Sequence, residues 1–79
     1  MGKREKLIQR ICARPPEARF GDVQQLLEIE GYELNRTKGS HNTFTKSGEK
    51  PIVLSTKQGR AVSRVYLDEI CTQLGLDED

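Results

Sequence analysis

The sequence predicts an α+β domain in which a three-stranded antiparallel sheet carries helices on one face. The spacing of apolar residues is about 3.6 residues before Gly31 and close to two residues after it, which indicates a switch from helix to strand. Tight turns containing Gly39 and Gly48 separate the strand-like segments, as is typical of an antiparallel meander. With 79 residues the chain is long enough for one domain. We expect the element order α-α-β-β-β-α.

Two helices are predicted before Gly31. The first spans residues 3–13 and ends before Pro15, because proline lacks a backbone donor. Its apolar residues form one stripe, made of Leu7, Ile8, Ile11 and Cys12. The second spans about 21–30, where Asp22 suits the positive end of the helix and has the spacing of a capping box. Gly31 is expected to end this helix in the left-handed conformation.

Three strands and a last helix are predicted after Gly31. The strands occupy about 32–37, 41–46 and 51–55. A polar loop containing Gly59 follows over residues 56–62. The last helix starts near Ser63, a good N-cap residue, and ends at Gly75 in a Schellman motif.

Composition limits the classes of protein and site that we expect. Cys12 and Cys71 lie on separate apolar helix faces, which favours buried free thiols and leaves a disulfide open. One histidine and two distant cysteines do not form a metal-ligand cluster, so no metal or cofactor is expected. The chain has neither an apolar run long enough to span a membrane nor the apolar start of a signal peptide. We therefore expect a cytoplasmic protein without a membrane partner.

Charge is segregated along the chain, although the net charge is only +1. Between Leu34 and Leu67 there are seven basic residues and one acidic residue, whereas the remainder has a net charge of −5. A locally basic surface suits a polyanion such as RNA. The alternative is a solvated sheet surface whose charges serve solubility. The predicted RNA-binding residues are Arg36, Lys38, Ser40, Lys46, Lys57, Arg60 and Arg64.

His41 is the candidate catalytic residue. Histidine is the side chain that titrates closest to neutral pH. Because side chains alternate along a strand, His41 and Thr43 should lie on the open face of the sheet if Phe44 faces the helices. A bulge at Ser40 would reverse this placement. RNA cleavage without a metal needs a base for the 2′-hydroxyl and an acid for the leaving 5′-oxygen. His41 can fill one role, and the second group stays unassigned.

The residues around His41 resemble those of HicA-type toxins from bacterial toxin–antitoxin systems. The similarity covers about residues 20–76 and rests on four features in order: Gly31-Tyr32, a basic stretch, Gly39-Ser40-His41 followed by Phe44, and a last helix that ends in Leu74-Gly75-Leu76. Residues 1–19 then form an N-terminal helical extension, and residues 77–79 form an acidic tail.

This resemblance implies a double-stranded-RNA-binding-like fold and an mRNA interferase, that is, a metal-independent endoribonuclease that acts on mRNA. It also implies that His41 is the catalytic histidine and that the partner is a HicB-type antitoxin. Many family members carry Pro-x-His after the third strand, where this chain has Leu54-Ser55-Thr56-Lys57. Two alternatives remain open at this point: a non-catalytic RNA-binding module of the same fold, and a small domain that mainly binds a protein partner.

Overall fold

A computed structural model describes residues 2–57 and 60–76 of the chain. These residues form α1 (Lys3–Cys12), β1 (Glu17–Arg19), α2 (Phe20–Ile29), β2 (Glu33–Lys38), β3 (His41–Thr45), β4 (Ile52–Lys57), β5 (Ala61–Ser63) and α3 (Arg64–Gln73). The strands make one antiparallel sheet in the order β1-β5-β4-β3-β2. The α+β class and the central meander β2-β3-β4 are therefore as predicted.

The predicted count of three strands and the order α-α-β-β-β-α are wrong. The sheet has five strands, because β1 pairs with β5 from Glu17↔Ser63 to Arg19↔Ala61, and β5 pairs with the end of β4 at Thr56↔Val62. The predicted loop over 56–62 thus contains the end of one strand and the start of another. Strands of three residues are too short to show an alternating pattern, and they form because a partner lies beside them.

The three helices cover one face of the sheet and enclose a single core. The buried residues of this core come from α1, α2, α3 and the inward positions of the strands: Leu7, Ile11, Val23, Leu26, Leu27, Tyr32, Phe44, Ile52, Leu54, Val62, Leu67, Ile70 and Cys71. Since Leu7 and Ile11 are almost fully buried, α1 packs as a structural layer of this core.

Covalent and ionic contacts fix α1 against the other two helices. Cys12 and Cys71 form a disulfide between α1 and α3, with their Cα atoms 5.8 Å apart. The interpretation of these residues as free thiols is therefore wrong. The two apolar helix faces pack on each other, which a sequence separation of 59 residues does not reveal. Arg4 donates a 2.6 Å hydrogen bond to Glu30, and this contact raises the pKa of the Arg4 guanidinium.

Two helices end at the predicted glycines, but the predicted N-cap residues do not cap their helices through side-chain bonds. Gly31 has φ +96°, and the N–H of Tyr32 bonds the Leu27 carbonyl at 2.8 Å, as in a Schellman motif. Gly75 has φ +66° and ends α3 in the same way. Asp22 is not the N-cap of α2, because the helix begins at Phe20 and the Asp22 carboxylate lies 3.7 Å from Arg10 on α1 instead. Ser63 precedes α3 as expected, although its hydroxyl makes no capping bond within the described residues.

Some predictions fall on residues that the structure does not describe. Gly59 of the predicted loop and the predicted acidic tail at 77–79 lie outside the described residues. Within residues 2–57 and 60–76, no helix has the length and apolar character needed to cross a membrane.

Candidate active site

His41 is held at the start of β3 by a tight hairpin. The two residues Gly39 and Ser40 connect β2 to β3, and Lys38 pairs directly with His41. Gly39 has φ +60°, which suits the first central position of a type II′ turn, where glycine is preferred. The turn therefore sets the register of the hairpin at His41.

The alternation of side chains in β3 places His41 on the open face. Asn42 and Phe44 are buried toward the helices. His41 is exposed and Thr43 is half-buried, and both lie on the open side. The pairing runs without a break from Lys38↔His41 to Arg36↔Thr43, so the bulge at Ser40 that would have reversed this placement does not occur. A register shift lies farther along β2, between Leu34 and Arg36.

Asn42 supports the site from the buried side. Its amide donates to the carbonyls of Ser40, at 3.2 Å, and Leu54, at 3.5 Å, while its oxygen accepts from the Thr37 hydroxyl at 3.1 Å. The Ser40 carbonyl also accepts the N–H of Thr56 at 3.0 Å. These bonds tie the hairpin turn to β4 and keep the start of β3 in place. This role was not predicted from the sequence, although a polar residue at an inward position of a strand is a signal that could have revealed it.

Two cross-strand rows form the surface around His41. In the first row His41 lies between Lys38 on β2 and Ser55 on β4. In the second row Thr43 lies between Arg36 on β2 and Val53 on β4. Directly opposed residues in an antiparallel pair have Cβ atoms about 4.5–5.5 Å apart, so these side chains are neighbours. A shallow depression of about 230 Å³ is lined by Arg36, Lys38, His41 and Thr43.

The structure thus places two of the predicted cations, Arg36 and Lys38, beside His41. Ser40 is exposed in the adjoining turn. Lys57, at the end of β4, lies two residues beyond Ser55 and therefore on the same face as His41. Its ammonium lies 4.0 Å from the Glu17 carboxylate, and both side chains are more than half exposed.

Besides Ser40 and Lys57, three more predicted RNA-binding residues do not line this depression. Arg60 follows β4, and its carbonyl accepts the N–H of Phe20 at the start of α2. Arg64 is the exposed first residue of α3. Lys46 lies past the far end of β3, where its Nζ donates to the Glu30 carbonyl at 2.9 Å.

Lys46 makes contacts that hold its side chain at the end of α2, and its role in RNA binding stays a prediction. Its ammonium lies 5.7 Å from the centre of the Tyr32 ring, and its side chain packs over Gly31. A lysine that hydrogen-bonds the last carbonyls of a helix interacts favourably with the helix dipole. Lys46 therefore acts as a side-chain cap for the C-terminal end of α2.

The groups around His41 allow a defined chemistry. An imidazole can accept or donate a proton near neutral pH, and two adjacent cations can bind a phosphate and offset negative charge that develops on it. Among residues 2–57 and 60–76, no group of three or more His, Cys, Asp or Glu side chains is placed to hold a metal ion.

Comparison with known proteins assigns the family. No curated protein and no solved structure matches the chain. The family model described as the HicA toxin of bacterial toxin–antitoxin systems matches residues 20–76, which include the hairpin of His41, the rest of the sheet except β1, and both α2 and α3. The chain therefore belongs to the HicA toxin family of bacterial toxin–antitoxin systems.

Proposed function

We propose that this toxin is a metal-independent endoribonuclease that cleaves mRNA, with His41 as its general base. The observation that supports this most is the first cross-strand row, in which the only histidine of the chain is exposed on the open sheet face beside Lys38. Family membership supports the toxin role, and the depression lined by His41 and two cations supports the chemistry.

The reaction that fits these residues is an internal transfer at phosphorus. Neutral His41 accepts the proton of the 2′-hydroxyl, and the 2′-oxygen bonds to the adjacent phosphorus. The bond from phosphorus to the 5′-oxygen breaks, and that oxygen takes a proton from solvent water. The products are a 2′,3′-cyclic phosphate and a 5′-hydroxyl. Because water is a weak acid, we expect slow turnover.

RNA is the substrate that the open face suits. Domains of the double-stranded-RNA-binding type read RNA mainly through its shape, its phosphates and its 2′-hydroxyls. Arg36, Lys38 and Lys57 lie on the same face as His41 and supply positive charge for phosphates. Ser40, Arg60 and Arg64 are peripheral contacts with the RNA in this proposal, since all three are exposed. The partner that covers and inhibits this face is a HicB-type antitoxin, and both proteins are located in the cytoplasm.

A second candidate function is a non-catalytic RNA-binding module. The observation that favours it is that Arg36, Lys38 and Thr43, which line the depression with His41, include no carboxylic acid or second imidazole to act as the general acid. The same basic face would then bind RNA without cleaving it.

The decisive experiment compares wild type with His41→Ala in a single-turnover cleavage assay on synthetic RNA. Loss of a general base should lower the rate by about 10²–10⁴-fold. The matched control is Glu33→Ala, which truncates an exposed polar residue on the same face at the other end of the hairpin and should leave the rate unchanged. Melting temperatures of both variants should stay near that of wild type, because exposed polar strand residues contribute little to stability.

The possible results separate the two functions. If folded His41→Ala cleaves as fast as wild type, His41 is not the general base. If wild type and His41→Ala bind RNA equally well and neither cleaves it, the chain is an RNA-binding module.

A further inference from the structure

Arg36 lies on the open face of the sheet, although the regular alternation of side chains in β2 would place it on the helix-covered face. Leu34, two residues earlier in β2, pairs with Phe44 and is half-buried against the helices. In a regular strand, residues two apart share a face, so Arg36 would point toward the core with Leu34. Arg36 is instead exposed and pairs with Thr43, on the side of His41.

The cause is one extra residue in β2. Leu34 pairs with Phe44 and Arg36 pairs with Thr43, so Asn35 and Arg36 together oppose a single residue of β3. This is the arrangement of a β-bulge, which bends the strand and changes the direction of the following side chains. The Asn35 amide reaches the Thr45 hydroxyl at 3.4 Å, on the open face.

The bulge satisfies two requirements that a regular strand cannot meet together. Leu34 has to face the core, and a charged residue in its place there would be costly unless paired. Both Arg36 and Lys38 have to face the open side if they are to reach a ligand beside His41. With the bulge, Leu34 packs inward and two cations two residues apart reach the depression at His41.

Arg36 has a chemistry that Lys38 cannot supply. A guanidinium is a planar fork that binds two phosphate oxygens at once, whereas an ammonium acts as a point charge. Arg36 belongs to the next row on the same face, two cross-strand pairs along from the row of His41. The depression that both side chains line is therefore open to the imidazole and to the guanidinium, so a phosphate bound in it would be within reach of both.

We propose that the β-bulge at Asn35 directs Arg36 at the scissile phosphate, and that the guanidinium binds its non-bridging oxygens and stabilises the negative charge of the transition state. This role rests on the proposed ribonuclease function. It adds no proton transfer, because arginine stays charged throughout.

Three variants test this proposal. Arg36→Gln removes the cation, and Arg36→Lys keeps the charge but not the fork. The exchange Asn35→Arg with Arg36→Asn keeps composition and net charge and moves the guanidinium to the other position of the bulge. The matched control is Lys3→Gln, which removes an exposed cation on α1. Two quantities are measured: the single-turnover cleavage rate, and the salt dependence of binding to a non-cleavable 2′-O-methyl RNA.

We expect Arg36→Gln to lower the salt slope of binding by about one phosphate contact, and Lys3→Gln to leave it unchanged. Arg36→Lys should keep the slope but lower the cleavage rate about tenfold or more, because loss of a transition-state donor typically costs about 10²–10³-fold and the lysine keeps part of the interaction. The exchanged variant should lose rate to a similar extent, because the charge is present but misplaced.

Two results would overturn this proposal while the ribonuclease function stands. One is an unchanged salt slope in Arg36→Gln, which would show that Arg36 does not bind phosphate. The other is a wild-type cleavage rate in the exchanged variant, or in Arg36→Lys if the exchanged variant does not fold. If wild type cleaves no RNA at all, the ribonuclease function and the catalytic role of Arg36 both fail, and the salt slope still establishes whether Arg36 is a phosphate contact.

Discussion

Reduction of the disulfide between Cys12 and Cys71 should cost the domain much of its stability. The bridge closes a loop with a sequence separation of 59 residues. In the chain-entropy model, a loop of that length lowers the entropy of the unfolded chain by about 14 cal/mol/K, which corresponds to about 4 kcal/mol at 25 °C. Measured values are typically about 2–4 kcal/mol. Small domains have a total free energy of unfolding of only about 5–15 kcal/mol.

The assay is thermal unfolding of the oxidised and the fully reduced protein, with a thiol titration to establish that Cys71, which is buried, has been reduced. For a domain of 60–100 residues, each 1 kcal/mol shifts the melting temperature by about 4–8 °C, so we expect a decrease of about 10–30 °C. The double variant Cys12→Ala with Cys71→Ala should melt close to the reduced protein and should not respond to reductant.

A melting temperature that falls by less than about 4 °C on complete reduction would refute this reasoning, because it corresponds to less than about 1 kcal/mol. In that case the packing of Leu7 and Ile11, with the ion pair between Arg14 and Asp68, would be enough to hold α1. Since reducing compartments keep thiols reduced, the same measurement also establishes how stable the toxin is without its bridge.

Four further predictions follow from the described contacts. Affinity for 2′-O-methyl RNA should fall steeply with added salt, and Lys57→Glu should weaken it while Lys3→Glu does not; an affinity indifferent to salt would contradict a basic binding face. Ile11→Ala should lower the free energy of unfolding by about 2–5 kcal/mol in a urea titration, because the side chain is fully buried in the core. Gly31→Ala should lower the melting temperature more than Gly48→Ala: both have positive φ, but only at Gly31 would the new Cβ meet a side chain, 3.1 Å from the lysine that caps α2. RNA cleavage should be unchanged by EDTA, since the proposed proton transfer uses an imidazole and the charge is offset by side chains; loss of activity that Mg²⁺ restores would refute it.

The main elements of the fold could be predicted because each one carries its own local signal. The apolar stripes of the three helices, the left-handed ends at Gly31 and Gly75, and the change of period after Gly31 all depend on residues close in sequence. The open-face placement of His41 followed in the same way, because a single inward residue, Phe44, sets the parity of a short strand.

Features that depend on distant partners could not be predicted. β1 and β5 have three residues each and form because they pair with each other. The disulfide forms because α1 packs beside α3. The contact of Lys46 with the Glu30 carbonyl, which caps α2, joins residues that are 16 positions apart in the sequence.

In the candidate site, too, some features could be predicted from the local sequence and others depend on contacts between strands. The sequence is enough to predict that its one histidine follows a Gly-Ser turn and starts a strand among basic residues. Which of those basic residues lie beside the histidine depends on the tertiary structure. A bulge is an offset between two strands and leaves no periodic signal in either one, so the direction of Arg36 depends on the register of β2 against β3. Local patterns fix which element a residue belongs to, whereas cross-strand register and helix packing fix its neighbours.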